Sequence, residues 1–152
     1  MDYLLLLAIG YFIYYFSQDK KEMEDNINIK KSDTLSISDI KCRDGNPVPE
    51  LYMENAIELI NNFSVIFNEI KNYTIISGFR TPEYNKKKDG ALLSQHLTAK
   101  AIDFSSTNYS PPELFLIVKN LMDNNKIKKG GIAIYKNFLH YDIRGYYTTW
   151  ET

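Results

Sequence analysis

The sequence predicts an α+β domain, a small and mostly antiparallel sheet with helices packed on one side, preceded by an apolar N-terminal helix. Three observations predict this. Two stretches space their apolar residues as helices do, and each is opened by proline. Four short β-rich runs lie around them, the last two close enough for a hairpin. Tyr3 to Phe16 (YLLLLAIGYFIYYF) is apolar and carries no charge. Helices that bury one stripe and strands that bury one face are satisfied when the helices gather on one side of the sheet.

The apolar run comes first. As a helix of 14 residues it spans about 21 Å against a hydrocarbon core of about 30 Å, and Met1, Asp2, Ser17 and Gln18 bring it near the lower limit for a span. Its aromatic residues suit an interfacial position. A cleaved signal peptide fits less well, because position 2 is Asp2 and no Ala-x-Ala-like site lies near Ser17. A core helix also fits less well, since the run is apolar on every side. Residues 1–18 are therefore expected to be a membrane anchor or signal-like segment. Residues 19–32 (DKKEMEDNINIKKS) are polar without apolar periodicity and read as a linker. The remaining 33–152 form the expected domain.

Within it, Asp44-Gly45-Asn46-Pro47-Val48-Pro49 is dense in turn formers. From Glu50 to about Ile70, Ala56, Leu59, Ile60, Phe63, Ile66, Phe67 and Ile70 follow i, i+3, i+4 spacing and define one buried face. Tyr73 to Ser77 reads as a strand, broken by Gly78-Phe79-Arg80-Thr81-Pro82. Glu83 to Gly90 is polar and charged. Ala101-Ile102-Asp103-Phe104 reads as a second strand. Pro111-Pro112 opens a second helix through about Asn124, with Leu114, Ile117, Val118 and Leu121 on one face. Gly131 to Tyr135 and Phe138 to Ile143 read as a hairpin.

Composition removes several functions. The formal net charge is -1, so no basic field points to nucleic acid. One cysteine, Cys42, excludes an intramolecular disulfide and a Cys-rich zinc site; it is expected to be a small buried hydrophobe. There are two histidines, His96 and His140, so a metal site would use both and complete its set with carboxylates.

Two segments carry that chemistry: Ser94-Gln95-His96-Leu97-Thr98-Ala99-Lys100-Ala101-Ile102-Asp103 and Phe138-Leu139-His140-Tyr141-Asp142-Ile143-Arg144-Gly145. A catalytic zinc keeps three protein ligands and one open position, and His96, Asp103 and His140 fill that requirement. The blander account makes His140 a hydrogen-bonded sheet residue and Asp103 a turn cap. Strand alternation places Phe138, His140 and Asp142 on one face.

These segments resemble the zinc D-alanyl-D-alanine carboxypeptidases and related peptidoglycan peptidases, a family that shares its zinc scaffold with D-alanyl-D-alanine dipeptidases and the hedgehog signalling domain. The family pattern is Ser-x-His-x6-Asp followed by a later His in a strand. Ser94, His96, Asp103 and His140 match it. Ser77-Gly78-Phe79-Arg80-Thr81-Pro82-Glu83-Tyr84-Asn85 is similar to the family's Ser-Gly-aromatic-Arg-Thr stretch. Asp44-Gly45, Pro47-Val48-Pro49 and Asn55-Ala56 look like its small, phage-associated branch. The likeness runs from about residue 35 to 150.

The resemblance implies Zn2+ held by His96, Asp103 and His140 on the sheet. It implies a peptidase acting on bacterial cell-wall stem peptides that contain D-amino acids, as carboxypeptidase or endopeptidase. It implies that Arg80 faces the substrate, holding a carboxylate or the developing oxyanion. Ser94, two residues before a ligand, and Gln95 beside it are expected to hydrogen-bond substrate or loop backbone. Two features depart from the family. Ala99 stands where Gly is usual. Asn137 and Phe138 stand where relatives carry the Glu or His that takes a proton. Asp142 is then expected to be either that base or a partner that orients an imidazole, with Glu83 next in line. Arg144 pairs with Asp142 or is exposed; Tyr146, Tyr147 and Trp150 edge a groove or simply pack. A non-catalytic zinc-containing binding module is the alternative function, and a membrane-tethered structural protein a more remote one. Lys20 and Lys21 after the apolar run favour a cytoplasmic domain, whereas the implied substrate favours one facing the cell wall or travelling with a virion.

Overall fold

The computed structural model describes residues 35–151. The expected anchor and linker, residues 1–18 and 19–32, lie outside the described residues. Among the described residues no helix is long and apolar enough to cross a membrane.

The first long helix, α1 (Met53–Ile70), follows a one-turn 3-10 segment, Glu50–Tyr52. It buries Ala56, Leu59, Ile60, Phe63, Ile66 and Ile70, the stripe that the spacing predicts; Phe67 sits at the stripe's edge and packs edge-on against Tyr73. It ends at Lys71, whose φ of 55° is left-handed while its N–H donates to the carbonyl of Phe67. A non-glycine residue costs about 1–2 kcal/mol in that conformation, and glycine is the usual solution. Lys71 is exposed, so Lys71→Gly is expected to raise stability by about 0.5–1 kcal/mol, read as the shift in urea midpoint; unchanged or lower stability would show that the turn is not strained.

Strand β1 (Thr74–Ser77) follows. The stretch after it, read from sequence only as polar and charged, contains a short helix, α2 (Pro82–Lys87). Thr81 caps it through its hydroxyl, which accepts from the N–H of Tyr84 at 3.2 Å, and Pro82 takes the first helical position. Six residues are too few to show a period. Strand β2 (Ala101–Ser105) precedes α3 (Pro111–Asp123). The start of α3 is fixed by Glu113, whose carboxylate accepts from the N–H of Ser110 at 2.8 Å and from its hydroxyl at 2.6 Å. Strands β3 (Gly131–Ile134) and β4 (Leu139–Asp142) form the expected hairpin, each one residue or more shorter than read, because Tyr135 to Phe138 make the turn.

The sheet order is β1-β2-β4-β3-β5, where β5 is Thr148–Glu151. All pairings are antiparallel except β3 with β5. Sequence reading missed β5 and its parallel pairing. To reach the outer side of β3, the chain leaving β4 must pass the start of β3 within a few residues. Gly130 and Gly131 make the room: a Cβ at Gly130 would lie 1.5 Å from the carbonyl oxygen of Asp142. Gly145, at φ 98°, then turns the chain back, with its N–H on the carbonyl of Lys129.

The two faces of the sheet have different jobs. Ile102, Phe104, Ile132, Leu139 and Tyr141 join the core with α1 and α3, and Phe63 meets Phe104 edge-on at 4.9 Å. By alternation, Asp103, Ala133, His140 and Asp142 point to the other face. The register sets Asp103 directly opposite His140, and His140 opposite Ala133.

Candidate metal centre

His96 comes to this face from outside the sheet. It sits on a single 3-10 turn, Gln95–Thr98, closed by Ala99 in the left-handed conformation at φ 56°. The Gly-type turn is therefore kept despite the alanine. Ala99 is fully buried. Ala99→Gly would relieve about 1 kcal/mol of backbone strain, lose about 0.8 kcal/mol of methyl burial and add about 0.5–1 kcal/mol of unfolded-chain freedom. We expect stability to change by less than about 1 kcal/mol, measured by chemical denaturation; a larger loss would mean that the methyl does more than fill space.

The turn is docked on the Ser77–Thr81 segment. Arg80 donates its N–H to the carbonyl of His96 at 3.0 Å. The carbonyl of Gly78 receives Nδ1 of His96 at 2.6 Å. Gly78 itself is held from above, since a Cβ there would lie 2.4 Å from the carbonyl oxygen of Ile40.

Three atoms converge. Oδ1 of Asp103 lies 3.1 Å from Nε2 of His96 and 2.7 Å from Nδ1 of His140. One ligand atom from each of the three residues falls within 4.8 Å of the others, and all three side chains are buried. Ligand atoms about 2.0–2.1 Å from one tetrahedral zinc are roughly 3.3 Å apart, so the spacing fits. The outward nitrogens strengthen this. A carbonyl only accepts, so the neutral His96 ring carries its hydrogen on Nδ1 and turns a lone pair on Nε2 toward Asp103. Nε2 of His140 faces Oδ2 of Asp142 at 3.1 Å, leaving Nδ1 as its inward donor atom. Each imidazole is thus oriented by an outer acceptor, the usual arrangement of metal-binding histidines. His96, Asp103 and His140 form a cluster that could hold a metal ion.

The surroundings act differently on the three groups. Burial depresses the pKa of His96, outweighing the pull of Asp103, and keeps it a neutral donor. Burial would also lower that of His140, but its contacts with Asp103 and Asp142 raise it. Burial pushes the Asp103 carboxyl up, yet the two histidines hold it well below the usual carboxylate range.

Arg80 donates through Nε to Ser77 Oγ at 2.8 Å and through Nη2 to Oδ2 of Asp103 at 2.5 Å. Arg80, Ser94, Gln95, His96, Asp103 and His140 all line one cleft of about 700 Å³. One wall is the loop around Gly90, pinned by buried Asn85, which donates Nδ2 to the carbonyl of Ala91 and accepts the N–H of Gly90 on its main-chain carbonyl. The other wall is aromatic. Tyr135 and Phe138 stack at 4.4 Å, and Trp150 packs 5.3 Å from the His140 ring. Sequence reading assigned no wall to Tyr135 or Phe138, although Phe138 shares a strand face with His140, which was the available signal. Trp150 edges the groove; Tyr146 and Tyr147 do not line it and are exposed.

Asp142 is brought to the cluster but not to the cleft. It is fully buried, and both of its oxygens are occupied. Oδ1 accepts from the N–H groups of Gly131 and Arg144 and from Nε of Arg144; Oδ2 accepts from Nη2 of Arg144 at 2.6 Å and faces His140. Burial alone would raise its pKa; these donors hold it well below the usual range. Glu83 lines a separate groove beside Pro82 and Thr98. Cys42 is free and buried, as expected.

A family model described as Peptidase M15 matches residues 33–142, a span that includes all three cluster residues. No curated protein and no solved structure matches the chain.

Proposed function

Since the chain belongs to the peptidase M15 family, we propose that it is a zinc-dependent peptidase that hydrolyses stem peptides of bacterial peptidoglycan, as a D-alanyl-D-alanine carboxypeptidase or an endopeptidase. The observation that carries this reading is the convergence of three buried donor atoms on the floor of an open cleft. Three protein ligands with access for a fourth is the mark of a catalytic zinc site; structural sites close all four positions. Bound zinc supplies Lewis acidity, making water a nucleophile near neutral pH and polarising the scissile carbonyl.

The chain's own residues supply the rest. Gly78 and Asp142 hold the rings of His96 and His140 in the orientation that presents one donor atom each. In this reading Asp142 is a positioning residue rather than the proton acceptor, because its oxygens are already occupied and it does not reach the cleft. Arg80, anchored through Nε and Nη2, keeps Nη1 for the negative charge that develops on the carbonyl oxygen. Ser94 and Gln95 contact the peptide. Residues 1–18 hold the chain at a membrane with residues 33–152 facing the cell wall.

One observation favours a second reading, a zinc-containing binding module. Apart from Asp103, Asp89 is the only carboxylate that lines the cleft among the described residues, and Asn137 and Phe138 offer no proton acceptor. One experiment separates the two: digestion of purified peptidoglycan by the protein with zinc and after chelation, read by mass spectrometry. Zinc-dependent release of D-alanine or cleaved stem peptides is the expected result. A fully zinc-loaded protein that binds the wall without cutting it would establish the binding module.

A further inference from the structure

Arg144 lies beyond the segment matched by the family model. Its side chain is 22 % exposed and lines the cleft. Its Nε and Nη2 donate to Asp142, and Tyr146, exposed at the cleft's outer side, is a further side-chain partner that a ligand could displace. The guanidinium is held further by ring faces, 5.4 Å from Trp150 and 5.8 Å from Tyr146. A side chain fixed on three sides has already lost its rotamer freedom, so a ligand meeting the remaining edge orders nothing new.

Arg80 is built in a parallel way on Asp103, but the two arginines differ in what lies behind them. Asp103 belongs to the donor cluster, so Arg80 sits where charge develops during a reaction. Asp142 contacts the outer nitrogen of His140, so Arg144 sits one side chain further out. A donor at that distance from the reacting centre meets charge that is present before and after the bond is cut. The local sum points the same way. Arg80 offsets Asp103, Arg144 offsets Asp142, and Lys88 offsets Asp89 on the wall; a divalent cation in the cluster leaves the floor positive.

We infer that Arg144 forms a carboxylate subsite, taking a free carboxylate of the peptide substrate beside the metal cluster. This rests on the peptidase reading above. A bidentate-capable guanidinium is the side chain suited to a carboxylate, and a charge-assisted contact of this kind is expected to change affinity by roughly 10- to 100-fold. The carboxylate belongs either to the peptide C-terminus, which makes the protein a carboxypeptidase, or to an acidic side chain, which fits an endopeptidase.

The test compares N-acetyl-D-alanyl-D-alanine with its C-terminal amide, and a stem peptide with free or amidated side-chain carboxylate. Binding to the zinc-loaded full chain is measured by calorimetry, and kcat and KM by amine release. The expected result is that one amidation weakens binding and raises KM at least tenfold with little change in kcat. Arg144→Gln should bring the acid-to-amide binding ratio to about one, a ratio that a general weakening from leaving buried Asp142 without its partner would not change. A purely structural role would weaken acid and amide equally. Equal binding of both acid–amide pairs by the parent protein overturns the subsite without any variant being needed. Cleavage without discrimination therefore removes the subsite and keeps the peptidase reading; acid-selective binding without cleavage keeps the subsite and removes the peptidase reading.

Discussion

His96→Ala is expected to abolish stoichiometric zinc in the purified protein and to reduce peptidoglycan cleavage to background. Nε2 of His96 is one of three inward donor atoms, with its ring fixed by Gly78, and no other histidine besides His140 exists in the chain to replace it. The loss should exceed the roughly 10- to 100-fold expected when only an outer hydrogen-bond partner is removed. Thermal unfolding gives an independent reading. A metal at about 1,000 times its dissociation constant stabilises the native state by about 4.1 kcal/mol, a gain that the parent protein should show on zinc addition and the variant should not. Full zinc occupancy in His96→Ala would remove this residue from the ligand set.

The second large effect concerns Asp142. Asp142→Asn is expected to weaken zinc retention by about 10- to 100-fold, while protein saturated with zinc keeps most of its turnover. The reason is geometric: the carboxylate orients Nε2 of His140 and is enclosed by Gly131 and Arg144. A general base would behave in the opposite way, keeping zinc and losing 100-fold or more in turnover. Chelator competition and turnover at saturating zinc, on one preparation, decide between them. Asp142→Ala should in addition destabilise the fold by roughly 3–5 kcal/mol, because it leaves the Arg144 guanidinium without its partner.

Much of this was legible in the sequence, for identifiable reasons. The stripe of α1 could be read because 18 residues give five turns of period, and the β3–β4 hairpin because two apolar runs flank a short polar gap. The three cluster residues could be read because Ser94, His96, Asp103 and His140 match a family pattern; their spacing alone left the hydrogen-bonded sheet residue and turn cap open. What escaped was set by long-range contact. Strand β5 pairs in parallel with β3 through a passage opened by Gly130 and Gly131, and nothing local in Thr148-Thr149-Trp150 announces its partner. Helix α2 was too short to show a period. Asp142 was placed correctly on the face of His140, but alternation gives only a face. Whether a carboxylate on that face is open or enclosed depends on Arg144 and Gly131, whose donors the fold brings in.

The pairing of Asp103 opposite His140 also bears on how errors in assembly are rejected. Strands β2 and β4 alternate between apolar and ligating residues, so sliding one past the other by a single position would face His140 with Ile102 or Phe104 and scatter the three donor atoms. The slipped form could still bury apolar surface, but it could not capture an ion. A metal ion held by the cluster would add free energy to one alignment only, and would thereby act as a proofreader of the sheet: a chain folding without it would lose a penalty against misalignment.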